Sequence, residues 1–383
     1  MIGAVLAACG GDPPHTGSTT TDSAGITIVE SSSPVWDDAS RWRLSAEPLV
    51  SIGVEEGPEA YQLYRVRSAV RLDDGRIVVA NHGTSELRFY GRSGEFRFSR
   101  GGDGEGPGEF RSMGEIWPLA DSLFVFDFRL RRVTVYSASG ELGRSFPVSP
   151  TSDGAFVSPV CMLASRHLLM QRFPRDAELE TGLNRDTSLY LRYGLDGEVV
   201  DTIGRFAGSE SYVGKGEDVT FSTGAPWGRR SYVAPVGDGF YFGSSDRWEI
   251  EARSSDGTLE RLIRRPVPNP VVTAAEADSY YVSLRERMTR MSGMWRGLYE
   301  DVTLPETKPA YGRILADAEG NLWVAAFEDE STWTVFDTEG RLLGALEIAG
   351  RVRVVDIGSD YVLGVWQDDL DVERVILYEL LKP

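Results

Sequence analysis

The chain repeats one short pattern with a period of roughly 40–50 residues. Each copy contains a tight polar turn, an apolar strand, a polar loop, a second strand and another tight turn. The clearest copy runs from Asp317 to Leu346. One small sheet of this kind cannot bury both of its faces, so neighbouring copies must stack against it. The period therefore predicts an all-β array of small sheets more firmly than any motif predicts an activity.

Six copies follow from the positions of the turns. Each predicted unit is a four-stranded antiparallel sheet, with strands a to d counted from the central axis outward. Pairs such as Asp-Gly and Ser-Gly supply the positive φ that two-residue hairpin turns require. The predicted a–b turns of the six units lie at 73–76, 120–122, 164–166, 237–239, 318–321 and 358–360.

The sixth unit ends with its c strand, at 374–378, and lacks an outer strand. The segment from Trp42 to Ile52 reads as a d strand that has no sheet of its own. The residues that follow support this interpretation, since Glu56-Gly-Pro-Glu59 before the first unit copies Glu105-Gly-Pro-Gly108 before the second. The sequence therefore predicts a ring that closes when the N-terminal strand pairs with the last unit, which removes exposed sheet edges.

Two runs carry a resemblance to a known family. They are Gly-Glu-Gly-Pro-Gly-Glu-Phe at 104–110 and Glu-Gly-Asn-Leu-Trp-Val at 319–324. In these runs the chain resembles the six-bladed NHL-type β-propellers, in particular the bacterial envelope lipoproteins of that class, over about residues 42–380. The resemblance implies a six-bladed propeller in which the six units are the blades. It implies no particular activity, because one propeller fold hosts many chemistries.

The N-terminus predicts a lipid anchor. Leu6-Ala-Ala-Cys9 resembles the bacterial lipobox, in which the cysteine sulfur accepts the lipid. Only eight residues precede Cys9 and none is Lys or Arg, so we expect a signal peptide that starts upstream of Met1. We predict a truncated signal at 1–9, a flexible tether at 10–25 and the propeller at 26–383. The expected location is the cell envelope, on the periplasmic side of a membrane or at the cell surface.

Composition excludes one class of partner. The chain has 58 acidic and 40 basic residues and a net charge of −18, which repels a phosphate backbone. Nucleic acid is therefore not an expected partner. Cys161 lies in an apolar stretch and is predicted to be a buried free thiol.

The long connections indicate which end of the ring carries the binding site. In a four-stranded meander, the b–c and d–a connections leave the same end of the blade. The long ones are predicted at about 172–188, 207–230 and 266–311. Long loops on a rigid scaffold are where binding sites concentrate. The longest predicts a helical insertion at about 272–300, which begins with a capping box of Thr273 and Glu276.

Polar and aromatic residues in these connections are the candidate binding residues. Arginines beside aromatic rings on an acidic protein favour a small anionic or carbohydrate ligand, or an unknown protein partner with an acidic segment. The candidates are Asn81, His82, Arg129, Arg131, Trp227, Arg229, Arg230, Asp246, Tyr311 and Trp366.

A propeller hydrolase is the alternative to a binding module. Calcium lactonases with this fold hold the ion with Glu, Asn and Asp oxygens, yet of four asparagines only Asn81 lies in a suitable connection. A zinc lyase needs several histidines, and His15, His82 and His167 fall in a tether, a loop and a turn. Scattered carboxylates, as in glycan-cleaving propellers, leave no local signature. We favour a binding module with no catalytic residue, metal or cofactor.

Overall fold

The computed structural model describes residues 17–172, 180–215, 220–291, 293, 296, 299, 302–348 and 350–383. This part of the chain forms six sheets of four to six strands and one α-helix. The predicted signal, with Cys9, lies outside the described residues. No helix in the described ranges is both long enough and apolar enough to cross a membrane.

The first half of the chain forms three sheets after four short N-terminal strands. The N-terminal strands are β1 (Ser18–Ser23), β2 (Ile26–Ser31), β3 (Arg43–Leu44) and β4 (Val50–Ile52). Sheet 1 contains β5 (Val66–Arg71), β6 (Ile77–Asn81), β7 (Glu86–Tyr90) and β8 (Phe96–Gly101). Sheet 2 contains β9 (Met113–Leu119), β10 (Ser122–Asp127), β11 (Arg132–Ser137) and β12 (Leu142–Pro147). Sheet 3 contains β13 (Val157–Leu163), β14 (His167–Arg172), β15 (Gly182–Tyr193), β16 (Val199–Lys215) and β17 (Thr220–Gly224).

The second half forms three more sheets and the helix. Sheet 4 contains β18 (Tyr232–Val236), β19 (Gly239–Gly243), β20 (Glu249–Arg253) and β21 (Leu259–Arg264), and it is followed by α1 (Ala274–Met288). Sheet 5 contains β22 (Ile314–Ala316), β23 (Leu322–Ala325), β24 (Thr332–Phe336) and β25 (Leu342–Glu347). Sheet 6 contains β26 (Val352–Ile357), β27 (Tyr361–Gln367) and β28 (Glu373–Leu381). Each predicted unit coincides with one of these sheets.

The first strands of the sheets follow one another around a central channel. β5 contacts β9, β9 contacts β13, β13 contacts β18, and β18 contacts β22. Sheets 5 and 6 share one apolar cluster and a hydrogen bond of 2.6 Å from Arg313 to the Val354 carbonyl. β26 and β27 then contact β5, so the last sheet packs on the first. The second strands β6 and β23 are buried along their whole length, because both faces of a sheet are covered by its neighbours.

The N-terminal strands complete sheet 6, as predicted. β3 and β4 both pair antiparallel with β28, with Leu44 opposite Leu380 and Ile52 opposite Val375. The first and last parts of the chain are thus hydrogen-bonded to each other. This pairing covers the edge that β28 would otherwise expose.

The predicted tether at 10–25 is wrong for its second half. β1 pairs with β2, and β2 adds in parallel to β21, with Val29 opposite Ile263. Sheet 4 has six strands for this reason. The run of threonines in β1 favours an extended backbone, and the open edge of β21 gives this hairpin a partner. From composition alone, the same run is predicted to be a flexible linker.

The chain then continues along the outside of sheet 5. The amides of Val35 and Trp36 donate to the carbonyls of Leu342 and Leu343 at 2.9 and 2.8 Å. The indole of Trp36 packs on that of Trp42, with centroids 5.0 Å apart. Residues 17–52 therefore cross the outer edges of sheets 4, 5 and 6 before sheet 1 begins. We call this segment the clasp.

Two of the three long connections are partly strands. β15 begins at Gly182 and β16 continues to Lys215, where it pairs with β17. The predicted loops at 172–188 and 207–230 are therefore shorter than expected. The helical insertion is confirmed: the Thr273 hydroxyl accepts from the Glu276 amide, and the Glu276 carboxylate accepts from the Thr273 amide at 2.9 Å. Leu284 of α1 packs with Tyr212 of β16 and with Val302.

We expect closure of the ring to depend on buried contacts of the clasp. Ile52 is 0% exposed, so Ile52→Ala should lower the free energy of unfolding by about 2–5 kcal/mol. Leu49→Ala is the matched control, because Leu49 in the same segment is 60% exposed and should change stability little. Urea unfolding followed by tryptophan fluorescence measures both. Equal midpoints for the two variants would contradict a role for the clasp in stability.

Candidate functional site

A cavity of about 600 Å³ opens at one end of the central channel. His82 and Phe128 line it from the connections between second and third strands of sheets 1 and 2, and Glu373 lines it from the first position of β28, directly after that connection in sheet 6. The cavity therefore lies at the end where the sequence predicts the binding face. A second cavity of about 340 Å³ shares Arg67 and Glu115 with it, so the space continues into the channel. We call the first cavity the mouth.

Irregular register in the first strands places charged side chains at the channel. β5 has a register shift between Val66 and Ser68, and Arg67 is the extra residue. β9 has two residues, Gly114 and Glu115, between the pairs that Met113 and Ile116 form with β10. Such bulges bend a strand and re-aim its side chains. Arg67 and Glu115 both line the channel as a result.

The arginines of the channel lack carboxylate partners. Arg353 donates to the carbonyls of Val66 at 2.6 Å and of Arg67 at 3.2 Å. Arg313 donates to the Val354 carbonyl, and its Nε is buried with no partner. Within residues 17–383, apart from the gaps given above, no carboxylate lies within 4.0 Å of the Arg67, Arg313 or Arg353 guanidinium. Burial lowers the pKa of Arg313 and of Arg353, yet guanidinium groups stay charged in proteins.

Glu115 is the carboxylate that faces these arginines. Its side chain is exposed to channel solvent, and desolvation by the protein that lines the channel raises its pKa. The positive charges of Arg353, Arg313 and Arg67 oppose that rise. The side chain forms no ion pair or hydrogen bond in the described part of the chain. Glu115 is thus a titratable group held near cations without direct contact.

His82 and Glu373 complete the polar lining of the mouth. The Nδ1 of His82 is buried with no hydrogen-bond partner. Burial lowers the pKa of His82, and the charges of Arg67 and Arg65 lower it further. Glu373 accepts a hydrogen bond of 2.7 Å from the Val66 amide, which fixes one of its oxygens. The imidazole therefore favours its neutral form.

Asn81 and Tyr311, two of the predicted candidates, are buried with their polar groups occupied. The Asn81 side chain accepts from the Tyr64 amide at 2.8 Å and donates to the Thr84 hydroxyl at 2.8 Å. The Tyr311 hydroxyl donates to the Glu249 carbonyl at 3.0 Å. Both side chains hold the connections of their sheets in place. The structure gives neither of them a free polar atom for a ligand.

Trp227, Arg229 and Asp246 lie around the helical insertion, apart from the lining of the mouth. The Trp227 ring packs on Tyr280 with centroids 5.7 Å apart. Arg229 donates to the Thr307 carbonyl at 2.7 Å. Asp246 forms an ion pair with Arg185, which lowers its pKa against the effect of burial. These side chains make contacts within the protein.

The remaining candidates are spread over the ring. Arg129 and Arg230 are exposed. Arg131 lies over the ring of Phe156. Trp366 is half-buried beneath the guanidinium of Arg374, 5.4 Å from its centroid. Of the ten predicted residues, only His82 is among the lining residues of the mouth.

Sequence reasoning missed the arginines and Glu115. The signal that could have identified them is a charge inside the first strand of a unit, as in Val66-Arg-Ser-Ala-Val70 and Val352-Arg-Val-Val355. First strands line the axis of a propeller, so a charge there points toward the channel.

The described residues hold no group of three or more His, Cys, Asp or Glu side chains that could bind a metal ion. Cys161 is a buried free thiol, as predicted, and burial raises its pKa. A buried neutral thiol is a poor nucleophile.

Comparisons with known proteins identify the fold and no more. No family model matches the chain, and no curated protein matches its sequence. A proposed exported protein of Bacteroides fragilis is 11% identical, with a TM-score of 0.51 over 93% of this chain and 99% of its own. A member of the DUF4221 family from Bacteroides vulgatus is 10% identical, with a TM-score of 0.53 over 90% and 99% of the two chains. A gluconolactonase of Xanthomonas campestris is 13% identical, with a TM-score of 0.43 over 84% and 87%. The structural neighbours are β-propeller-like proteins.

A buried lysine connects the helical insertion to sheet 5. The Lys308 side chain is 5% exposed and contacts the Glu276 carboxylate at 2.5 Å. It also pairs with Glu328, which follows β23, and lies over the Trp227 ring at 5.9 Å from the centroid. The hydrogen bond from Lys308 and those from Thr273 lower the pKa of Glu276 to about 2. The N-terminus of α1 is therefore held by a charge pair.

This charge pair predicts acid-dependent loosening of α1. Because the folded pKa of Glu276 is depressed, its contribution is present above the unfolded pKa of about 4.3. It should be lost as the pH falls toward about 2, the folded pKa. Hydrogen-exchange protection of the α1 amides, corrected for intrinsic rates, should fall in that window. In Glu276→Gln, protection should be reduced at neutral pH and should no longer change in this window.

Asp278→Asn is the control, since the exposed Asp278 pairs with no residue that the structure describes. It should keep the acid transition of the unaltered protein. An unchanged transition in Glu276→Gln would show that another carboxylate controls the docking of α1.

Proposed function

We propose that this chain is a six-bladed propeller that acts outside the cytoplasm as a membrane-anchored binding module. Its mouth binds a small anionic ligand, and no catalysis is required of it. The single observation that carries the proposal is the set of channel arginines without carboxylate partners. Six sheets in cyclic contact, with the N-terminal strands completing the last one, support six blades.

The arginines favour an anion for physical reasons. Guanidinium groups present a planar fork of donors that matches carboxylate and phosphate groups. Arg67 and Arg353 come from adjacent first strands, and Arg65 lines the same cavity. The whole chain carries a charge of −18, so a cationic channel is a local feature. Low-dielectric walls around such a cleft concentrate anions in it.

The size and apolar lining of the mouth favour a small molecule. Its volume of about 600 Å³ is within the range of ligand sites. Phe128 is 46% exposed at the mouth, and Trp117 also lines this cavity. An aromatic ring with one open face offers a stacking surface to a planar or sugar-like body. The ligand class is therefore an acid with a compact ring or chain, consistent with the anionic or carbohydrate ligand predicted from the sequence.

Arg67 is the most direct test of anion binding, because its guanidinium has no partner in the described structure. We expect Arg67→Gln to weaken binding of inorganic phosphate, glucuronate or meta-benzenedisulfonate at least tenfold, or about 1.4 kcal/mol. Arg97→Gln is the control, since Arg97 is exposed and pairs with Glu95 on the outer strand of sheet 1. Isothermal titration calorimetry measures both. Equal affinities in the two variants would refute the mouth as the site.

The anchor is a separate part of the proposal. The lipobox at Leu6–Cys9 supports lipidation of Cys9, with the propeller held at a membrane. In cells that express the complete gene, we expect Cys9→Ser to move the protein from the membrane fraction to the soluble fraction. Labelling with an alkyne fatty acid should mark the unaltered protein and not Cys9→Ser. Membrane retention of unlabelled Cys9→Ser would show that the chain is held by other means.

A further inference from the structure

The charges at the mouth do not cancel. Three guanidinium groups line the mouth, from Arg65, Arg67 and Arg353. Two carboxylates, Glu115 and Glu373, line the mouth with them. With both acids ionised, the mouth keeps an excess of one positive charge. Protonation of one acid raises the excess to two, which matches a ligand with two negative charges.

Glu115 lies next to the position that such a ligand would occupy. Arg67 from sheet 1 and Arg353 from sheet 6 share both cavities with Glu115, so an anion held between them meets this carboxylate. Arg313 from sheet 5, Tyr232 from sheet 4 and Cys161 from sheet 3 complete the wall around it. Asp356 of β26 also lines the second cavity, but its carboxylate accepts from the Tyr361 hydroxyl at 2.7 Å and from the Arg71 amide at 3.1 Å, whereas Glu115 has no such partner in the described structure. Glu115 is therefore the group whose charge conflicts with the ligand.

We propose that the mouth binds a small dianion and that Glu115 takes up one proton as the dianion binds. This inference rests on the proposed anion-binding function. A protonated Glu115 removes the repulsion between two anions and offers an O–H donor to the ligand. Glu115 can change its charge without losing a partner, because no hydrogen bond or ion pair holds it in the described structure. Burial has already raised the pKa of Glu115, and a bound dianion raises it further.

The affinity for the dianion should increase as the pH falls. A group whose pKa rises on binding takes up protons from solution, so affinity increases as the pH falls through the range between its free and bound pKa values. For one proton per ligand, the increase approaches about tenfold per pH unit. Glu373 differs from Glu115 in having a partner, because the Val66 amide donates to its carboxylate at 2.7 Å. His82 is the competing proton acceptor, since a dianion would raise its pKa as well.

The experiment uses a probe that does not itself titrate. Meta-benzenedisulfonate carries two permanent negative charges on a ring, and benzenesulfonate carries one. Calorimetric titration in two buffers of different ionisation enthalpy, at one pH, gives the number of protons taken up per ligand. We expect net uptake of up to one proton with the disulfonate and a smaller uptake with the monosulfonate. The disulfonate should also bind at least tenfold more tightly.

Two isosteric variants identify the proton acceptor. Glu115→Gln should abolish the uptake and bind the disulfonate as tightly as the unaltered protein or more so, with an affinity that no longer changes with pH. His82→Gln should retain the uptake. Thermal unfolding of both variants without ligand checks that they are folded.

The possible failures are distinct. Disulfonate binding without proton uptake, or uptake that persists in Glu115→Gln or is lost in His82→Gln, would overturn this inference and leave the anion site intact. Equal affinity for the two sulfonates would overturn the preference for a dianion. Absence of binding by either sulfonate and by phosphate would overturn the proposed function as well.

Discussion

The pairing of β3 and β4 with β28 is the constraint on which the rest of the structure depends. It joins residues at opposite ends of the described chain, with Ile52 opposite Val375. Forming such a contact costs loop-closure entropy that grows only slowly with chain length. Once formed, it lets every sheet bury both faces against a neighbour. The channel then has a fixed diameter, and the side chains that line it keep fixed separations.

The clasp distributes this closure over three sheets. β2 extends sheet 4, Trp36 lies along β25, and Trp42 stacks toward Trp323 with centroids 6.1 Å apart. A ring held closed by the strands of a single sheet would open whenever those strands separated. Here, opening of sheet 6 also exposes the indoles packed between sheets 5 and 6. The sequence predicts that the clasp is partly a tether and partly a strand. In the structure, the clasp stabilises three of the six sheets.

The sequence predicts the architecture well because its signals are local and repeated. The turn pairs, the Thr273 capping box and the unpaired strand before Ile52 each have a specific physical requirement. The channel has no local signal of this kind. Arg67, Glu115, Arg313 and Arg353 are separated by up to 286 residues of chain, and they meet only after six sheets assemble. His82 was predicted because it lies in a connection, whereas Asn81, its neighbour, turns inward and holds the Tyr64 amide.

The half-buried charges of Arg313 and Arg353 are costly for stability, which is the physical argument that they serve a ligand. A buried cation with no counter-charge in contact is destabilising, and several other arginines of the described residues pair with a carboxylate. Arg253 pairs with Glu251 at 2.6 Å, and Arg264 pairs with Glu249 at 2.5 Å. An apolar residue at 353 would pack against the channel without that penalty, whereas Arg67 is exposed to channel solvent. A bound anion supplies the missing partner, so the arginines are stabilised in the complex more than in the free protein.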